Sequence, residues 1–348
     1  MSNKKVCVVG AGGFIGSHLC EHLLIKDYQV TGVDLSDLRL SGILEHPNFN
    51  WQTMDYSLGE NPQILAQNHP VVINAAALCN PSLYNTQDLQ VMHSNFNAPQ
   101  KLANECAETG TWLIHFSTSE IYGYGDATQA LHESTPSNLG SVGARRWSYA
   151  TAKLLLERWL VGLEKERNLA WTVIRPFNIL GPRMDYIPGV DGQGTPRVMA
   201  NFSSALLKGQ ALPIVDGGKA QRAFTWVGDA VKAVELILKN PSSSKNQAFN
   251  IGNPANEISM IALAQQMVEI YRKIQSQNPH LAPVAKPALR HVKGTEYYGP
   301  GYEDSIRRLP DISKAQKLLS WQPQTDLLTT LYGCLEWFTQ HYGNLVCK

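Results

Sequence analysis

The sequence predicts an α/β fold, a doubly wound parallel sheet with helices on both faces and a smaller C-terminal lobe. Three observations carry that expectation. Through the first 180 residues, short β-branched runs alternate with longer amphipathic stretches. The first of these runs passes straight into a glycine-rich turn. With 43% hydrophobic and 17% charged residues over 348 positions, the composition suits one large α/β domain or two smaller ones.

Strands are expected at Lys5–Val9, Gln29–Asp34, Val71–Ala77, Trp112–Ser117 and Ala170–Arg175, where β-branched and aromatic residues cluster. Helices are expected at Gly13–Ile25, Asn95–Thr109 and Arg146–Glu166, the last with Leu154, Leu155, Trp159 and Leu160 at helical spacing. Beyond Pro176 the Gly/Pro-rich stretch 181–197 is too long for a simple connector and reads as a binding loop. Further helices fall at Val198–Lys208, Asp229–Leu238 and Met260–Ile274, and a second irregular segment spans Gln275–Arg308. Residues 1–180 are expected as one domain, joined by a returning segment near 225–252 that includes Ala248–Ile251; residues 181–348 make mainly the smaller lobe.

Thirty Lys plus Arg against 29 Asp plus Glu leave no net field for a polyanion, which argues against nucleic acid and anionic membranes as partners. The longest apolar stretch, around Val71–Cys79, falls far short of the roughly 20 residues a membrane helix needs. The first residues run into the glycine-rich turn without an apolar leader, and the six cysteines stand singly, so a reducing, cytoplasmic setting is expected. His115 and His132 have no partner at ligand spacing, and no metal site is expected.

Val8-Val9-Gly10-Ala11-Gly12-Gly13-Phe14-Ile15-Gly16 closes a strand and opens a helix. Gly10, Gly13 and Gly16 let the backbone turn tightly and approach a pyrophosphate, whose charge meets the free N–H groups of the helix start near Phe14 and Ile15. A plain βα turn rarely needs four glycines. Asp34 ends the second strand, where a carboxylate accepts from an adenosine ribose and repels a 2′-phosphate, favouring NAD over NADP; a strand-end turn residue is the plainer alternative. Tyr149 and Lys153 lie four apart on one helix face, so that an ammonium could lower a phenol toward a usable general base. Ser117-Thr118-Ser119-Glu120 follows a strand's C-terminal end, the rim where open α/β sheets bind ligands and where turn-forming hydroxyls are also common. Arg197, Arg222 and Arg308 lie in the irregular segments and could meet a diphosphate and a carboxylate, although each alone is more often a solvated surface residue.

Taken together, the glycine-rich turn, Ser117–Gly123, Tyr149-Ala150-Thr151-Ala152-Lys153, Arg175-Pro176-Phe177-Asn178, Asp216-Gly217-Gly218 and Asn250–Pro254 resemble extended short-chain dehydrogenases/reductases that modify nucleotide sugars. The resemblance implies a Rossmann fold, NAD as cofactor, a UDP-sugar substrate and a homodimer built on the helices at Asn95–Thr109 and Arg146–Glu166. It is nearest to UDP-glucuronate decarboxylases. Arg146-Trp147-Ser148-Tyr149, Gly181–Asp185 and Pro188–Gly192 look like plant UDP-apiose/UDP-xylose synthases, and Tyr297–Gly299 through Arg307–Pro310 resembles a bacterial polymyxin-resistance decarboxylase.

That resemblance makes Thr118, Tyr149 and Lys153 a hydroxyl–phenol–ammonium triad and gives Ser119, Glu120 and Arg308 the sugar carboxylate. It adds Asp55 to the cofactor-binding positions and places Arg146, Asn178, Arg197, Arg222 and Tyr302 on the substrate. Ser119 stands where the plant synthases carry a cysteine, while Cys79 matches their other active-site cysteine; a buried apolar thiol is the competing reading of Cys79. The lysine such relatives carry before the Asp-Gly-Gly turn falls near Pro213 here. The implied activity is oxidation at C4 and decarboxylation of UDP-glucuronate, giving UDP-apiose and UDP-xylose or a 4-keto-pentose. A nucleotide-sugar 4-epimerase or 4,6-dehydratase shares the first step, but the acidic Asp of the dehydratases is replaced by Ser119. A non-catalytic NAD-binding sensor would lose the Tyr/Lys pair, which is intact.

Overall fold

A computed structural model describes residues 4–346 except 85, 127 and 300–302. Seven parallel strands form the central sheet: β1 Lys5–Val9, β2 Gln29–Asp34, β3 Phe49–Thr53, β4 Val71–Asn74, β5 Trp112–Phe116, β6 Trp171–Pro176 and β7 Gln247–Ile251. Their order is β7-β6-β5-β4-β1-β2-β3, so the winding reverses between β1 and β4. At such a reversal the loops leaving neighbouring strands diverge and open a crevice at the strands' C-terminal ends.

Both faces are buried because the strands alternate apolar residues to either side. On β1, Val6 and Val8 join one core with Leu19 and Leu23 of α1 (Phe14–Ile25), whereas Cys7 and Val9 join another. The second core holds Leu65 of α2 (Asn61–Asn68), Leu102 of α3 (Ala98–Thr109) and Leu160 of α4 (Ser148–Arg167). Ala230 and Val234, in the returning stretch, close the first core over α1. Each fully buried Leu or Val in these layers stabilises the fold by about 1.5–3 kcal/mol.

A third apolar core lies after the sheet. It packs α5 (Val198–Leu207), α7 (Met260–Gln277) and α9 (Leu327–Val346) through Met199, Leu206, Leu263, Met267, Leu331 and Phe338. Between α5 and α7 in sequence, α6 (Val227–Lys239) packs back on the sheet, and α8 (Ser313–Leu319) does so later in the chain.

Several expected bounds shift. β4 stops at Asn74, so Ala75–Ala77 belong to the loop leaving the sheet. β3 has no counterpart among the expected strands, because an edge strand with the pattern Phe-Asn-Trp-Gln-Thr is only half covered. The segment Gln275–Arg308 is less irregular than expected: Leu289–Val292 pairs with Leu212–Val215, and Arg307–Arg308 pairs with Gln221–Arg222.

Candidate active site

The strand ends deliver the site. Gly10 follows β1, Asp34 ends β2, Cys79 lies on the loop after β4, Thr118–Glu120 follow β5 and Asn178 follows β6. Cys79, Thr118–Glu120 and Asn178 line a cavity of about 680 Å³ whose walls also include Phe14, Tyr149, Arg197 and Arg308. A larger groove of about 1060 Å³ between α7 and residues 323–328 contains none of them, so volume alone would point to the wrong place.

At one end of the crevice the backbone does the shaping. Gly10 has φ +85°, and a Cβ there would lie 2.5 Å from the Ala76 nitrogen; a Cβ on Gly16 would lie 2.0 Å from the Gly10 carbonyl oxygen. Gly13 begins α1 without any side-chain cap, and the first turn has no acidic residue. A helix start left open this way presents its N–H groups and positive dipole end to an anion. The Asp34 carboxylate accepts from the Gly12 nitrogen at 3.0 Å and the Leu35 nitrogen at 2.7 Å. Burial raises its pKa, with those N–H groups and Arg39 opposing. Arg39 itself donates to the carbonyls of Arg183 (3.0 Å) and Asp185 (3.3 Å). Asp55, just past β3, accepts from the Ser57 nitrogen and hydroxyl, which folds a local turn.

Tyr149 and Lys153 occupy the first turns of α4, buried under the cavity floor. The Tyr149 ring stacks on Tyr84, centroids 5.4 Å apart and planes within 10°. Thr118 lies on the same cavity wall and favours the ionised phenol, and its own oxygen accepts from the Glu120 nitrogen and caps the short turn Ser119–Tyr122. The expected action of Lys153 on the phenol needs correcting for the chain by itself. The ammonium donates to the Phe116 carbonyl at 2.8 Å and stands 6.0 Å from the Tyr149 ring centre. Burial pushes the phenol well above its usual range, Cys79 and Glu120 add to this, and Thr118 and Arg197 oppose it. Burial also pulls Lys153 down to about 8.

The same cavity holds a partly buried charge cluster, in which Arg222 and Arg308 are buried and Glu120, Arg146 and Asp304 half-buried. Arg146 meets Glu120 at 2.5 Å, Arg222 meets Asp304 at 2.7 Å, and Arg308 approaches Glu120 at 3.5 Å and Asp304 at 4.0 Å. Three guanidinium groups thus face two carboxylates, leaving one positive charge in excess. Burial alone would raise both acids, but Arg146 and Arg308 hold Glu120 below its ordinary value. Arg222, Arg308 and Arg146 likewise hold Asp304 at about 2. Arg222 and Arg308 were expected on irregular chain. They sit instead on paired strands, where a regular backbone fixes both guanidinium stems.

Ser119 is buried on the cavity wall, and Asn178, at φ +41°, donates to the Ala223 carbonyl at 3.1 Å. Arg197 starts α5 and is gripped by Asp185. Cys79 differs from the other four described cysteines, which are buried. Tyr302 falls outside the described residues. Tyr84, Asp304 and Lys219 also line the cavity without having been singled out in the sequence. Among the described residues no group of three metal-ligating side chains occurs.

The model of the NAD dependent epimerase/dehydratase family matches residues 6–252, well over half of the chain. The chain belongs to that family. NAD is its cofactor. The chain is 38% identical to UDP-D-apiose/UDP-D-xylose synthase 1 of Arabidopsis thaliana, across 99% of this chain and 93% of the relative. It is also 38% identical to UDP-D-apiose/UDP-D-xylose synthase of Oryza sativa subsp. japonica, across 98% and 90%. Among solved structures, PbgP3 protein from Burkholderia pseudomallei superposes with a TM-score of 0.85 at 29% identity, covering 99% of both chains.

Proposed function

We propose that this family member is an enzyme that oxidises UDP-glucuronate at C4 and decarboxylates it, yielding UDP-apiose together with UDP-xylose. The observation that carries the reading is one cavity that holds a buried phenol and a cluster of three arginines with an uncompensated positive charge. Kinship with the two plant synthases over nearly the full length supports the same choice. An epimerase acting on a neutral sugar has no need of that excess charge.

NAD⁺, when bound, would supply the acceptor for the hydride leaving C4. Tyr149 takes the proton of the 4-hydroxyl, and the Thr118 hydroxyl beside it favours the phenolate. Lys153 and Arg197 supply the positive charge that stabilises the phenolate. Oxidation leaves a β-keto acid, so the electrons released with CO2 flow into the new carbonyl. Glu120 and Arg308 orient the carboxylate through the charge cluster, and Ser119 flanks it. Arg146, Asn178, Arg222 and Tyr302 hold the rest of the UDP-sugar. Cys79, the described cysteine left on the cavity wall, serves proton transfer while the ring contracts.

Residues 1–180 with the returning 225–252 stretch hold the dinucleotide in this reading, with Gly10, Gly13, Phe14, Ile15, Gly16, Asp34 and Asp55 contacting it, and residues 181–348 mainly shape the sugar side. The homodimer proposed from the helices at 95–109 and 146–166 is supported by the exposed Leu155 and Trp159 of α4, and light scattering checks it. Among the described residues no helix is long and apolar enough to cross a membrane; a cytoplasmic setting is proposed on the unpaired cysteines. The test of function is incubation with NAD⁺ and UDP-glucuronate followed by NMR of the products. UDP-apiose with UDP-xylose is expected, altered in ratio by Cys79→Ser; an untouched substrate, or a C4 epimer that keeps its carboxylate, overturns the reading.

A further inference from the structure

We infer that His115 is a positioning residue for Lys153: a neutral imidazole locked in one tautomer, whose Nε2 accepts from the lysine ammonium and fixes where that charge stands. His115 lies near the end of β5, fully buried. Side chains alternate along the strand, so His115 shares the face of Leu113, which packs in the core under α4, while Ile114 points to the other core. Its cross-strand partners are Asn74 on β4 and Val173 on β6. Lys153 comes down from α4 with Nζ 3.4 Å from His115 Nε2 and 2.8 Å from the Phe116 carbonyl.

While Lys153 is charged, the chemistry allows one arrangement. An ammonium has donors and no acceptor, so the contact is a hydrogen bond only if Nε2 carries the lone pair and the proton is on Nδ1. Nδ1 is buried with no partner, as is the Asn74 side-chain nitrogen across the strand. A residue kept only for packing at this depth would be apolar like its neighbours Ile114 and Val173, and would leave no orphaned donor. A charged imidazole beside the ammonium is disfavoured twice over, by burial and by Lys153 itself, which both hold His115 well below its usual range. The Phe116 carbonyl and His115 together occupy two of the three ammonium donors and leave one for the cavity side. The other groups acting on Lys153 are Cys79 from the loop after β4 and Glu157 one turn further along α4.

The activity part of the test rests on the reading proposed above, and the other part does not. In protein labelled with ¹⁵N-histidine, His115 is expected as the Nδ1–H tautomer at every pH from about 5 to about 7, where an ordinary histidine titrates and Lys153 still carries its charge. An Nε2–H tautomer, or a titration inside that range, overturns the inference. His115→Leu removes the acceptor. It is expected to lower kcat about 10-fold and to move the acid limb of the kcat profile up by about half a unit, with KM for UDP-glucuronate within about twofold. His115→Gln, whose amide oxygen reaches the place of Nε2, is expected to recover most of the rate and the acid limb. An unmoved profile in His115→Leu, or equal damage from Leu and Gln, overturns the positioning role. Wild-type protein inert toward UDP-glucuronate would overturn the functional reading and leave the tautomer to decide His115.

Discussion

The two ends of the crevice are made of different material. The end proposed for the dinucleotide is mostly backbone: a turn from Gly10 to Gly16, an uncapped helix start and one strand-end carboxylate, all encoded before residue 35. The end proposed for the sugar is mostly charge, brought together from Glu120, Arg146, Arg222, Asp304 and Arg308. A site made of backbone is fixed by local sequence and is insensitive to changes across the cleft. A site made of buried charges is a balance in which each member sets the ionisation of the others.

If the ends are separable in this way, sugar-side substitutions should leave dinucleotide affinity alone. The largest effect is expected from Tyr149→Phe, which should lower kcat by roughly 10²- to 10⁴-fold while calorimetry finds the Kd for NAD⁺ changed by no more than about threefold. A parallel loss of NAD⁺ binding would break the comparison. Arg308→Ala comes next: it removes a cation from both Glu120 and Asp304, and KM for UDP-glucuronate should rise roughly 10- to 100-fold, again at unchanged NAD⁺ affinity.

Lys153→Met tests what burying the catalytic charge costs. Because the folded-state pKa is lowered to about 8 from 10.5, the unfolded chain binds a proton that the folded chain lacks between those values. Wild-type stability therefore rises with pH across that window. Met carries no such burden, so the variant should be inactive yet more stable below pH 8 by about 1–3 kcal/mol, an advantage that urea melts should find shrinking toward pH 10. The smallest effect belongs to Asp34→Asn, which should narrow a strong preference for NAD⁺ over NADP⁺ by about fivefold in parallel titrations. Wild-type protein binding NADP⁺ as tightly as NAD⁺ would remove Asp34 from its assigned role.

The same contrast explains what could be read in the chain. The parallel sheet, the glycine turn, Asp34 and the Tyr149/Lys153 pair are visible because each is a local pattern of period, turn chemistry or helical spacing. Arg222 and Arg308 could be named, but not their setting on paired strands, because short strands in polar sequence leave no periodic signal. Asp304 was invisible for a related reason: a single acid in a polar stretch becomes a binding element only once the fold sets it against three arginines. Tyr84 gave no clue to its stacking on Tyr149, which needs the loop after β4 to meet α4. The Tyr149/Lys153 spacing was correct as geometry and incomplete as chemistry, since burial outweighs the charge that spacing brings near.

Arg39 bears on how such a protein could be retuned, by evolution or by design. A conversion to NADP⁺ needs a guanidinium beside the 2′-phosphate, and the nearest one in sequence is tied to the carbonyls of Arg183 and Asp185. Asp185 in turn grips Arg197 in the sugar cavity. Drafting Arg39 into phosphate recognition would loosen the loop that orders Arg197, so a gain in cofactor breadth would be matched by a loss in substrate hold. The open route is a new arginine at Leu35 or Leu38, both exposed and outside that chain of contacts. Cofactor exchange in this protein is therefore a matter of adding a residue, since Arg39 is already committed to the loop carrying Asp185.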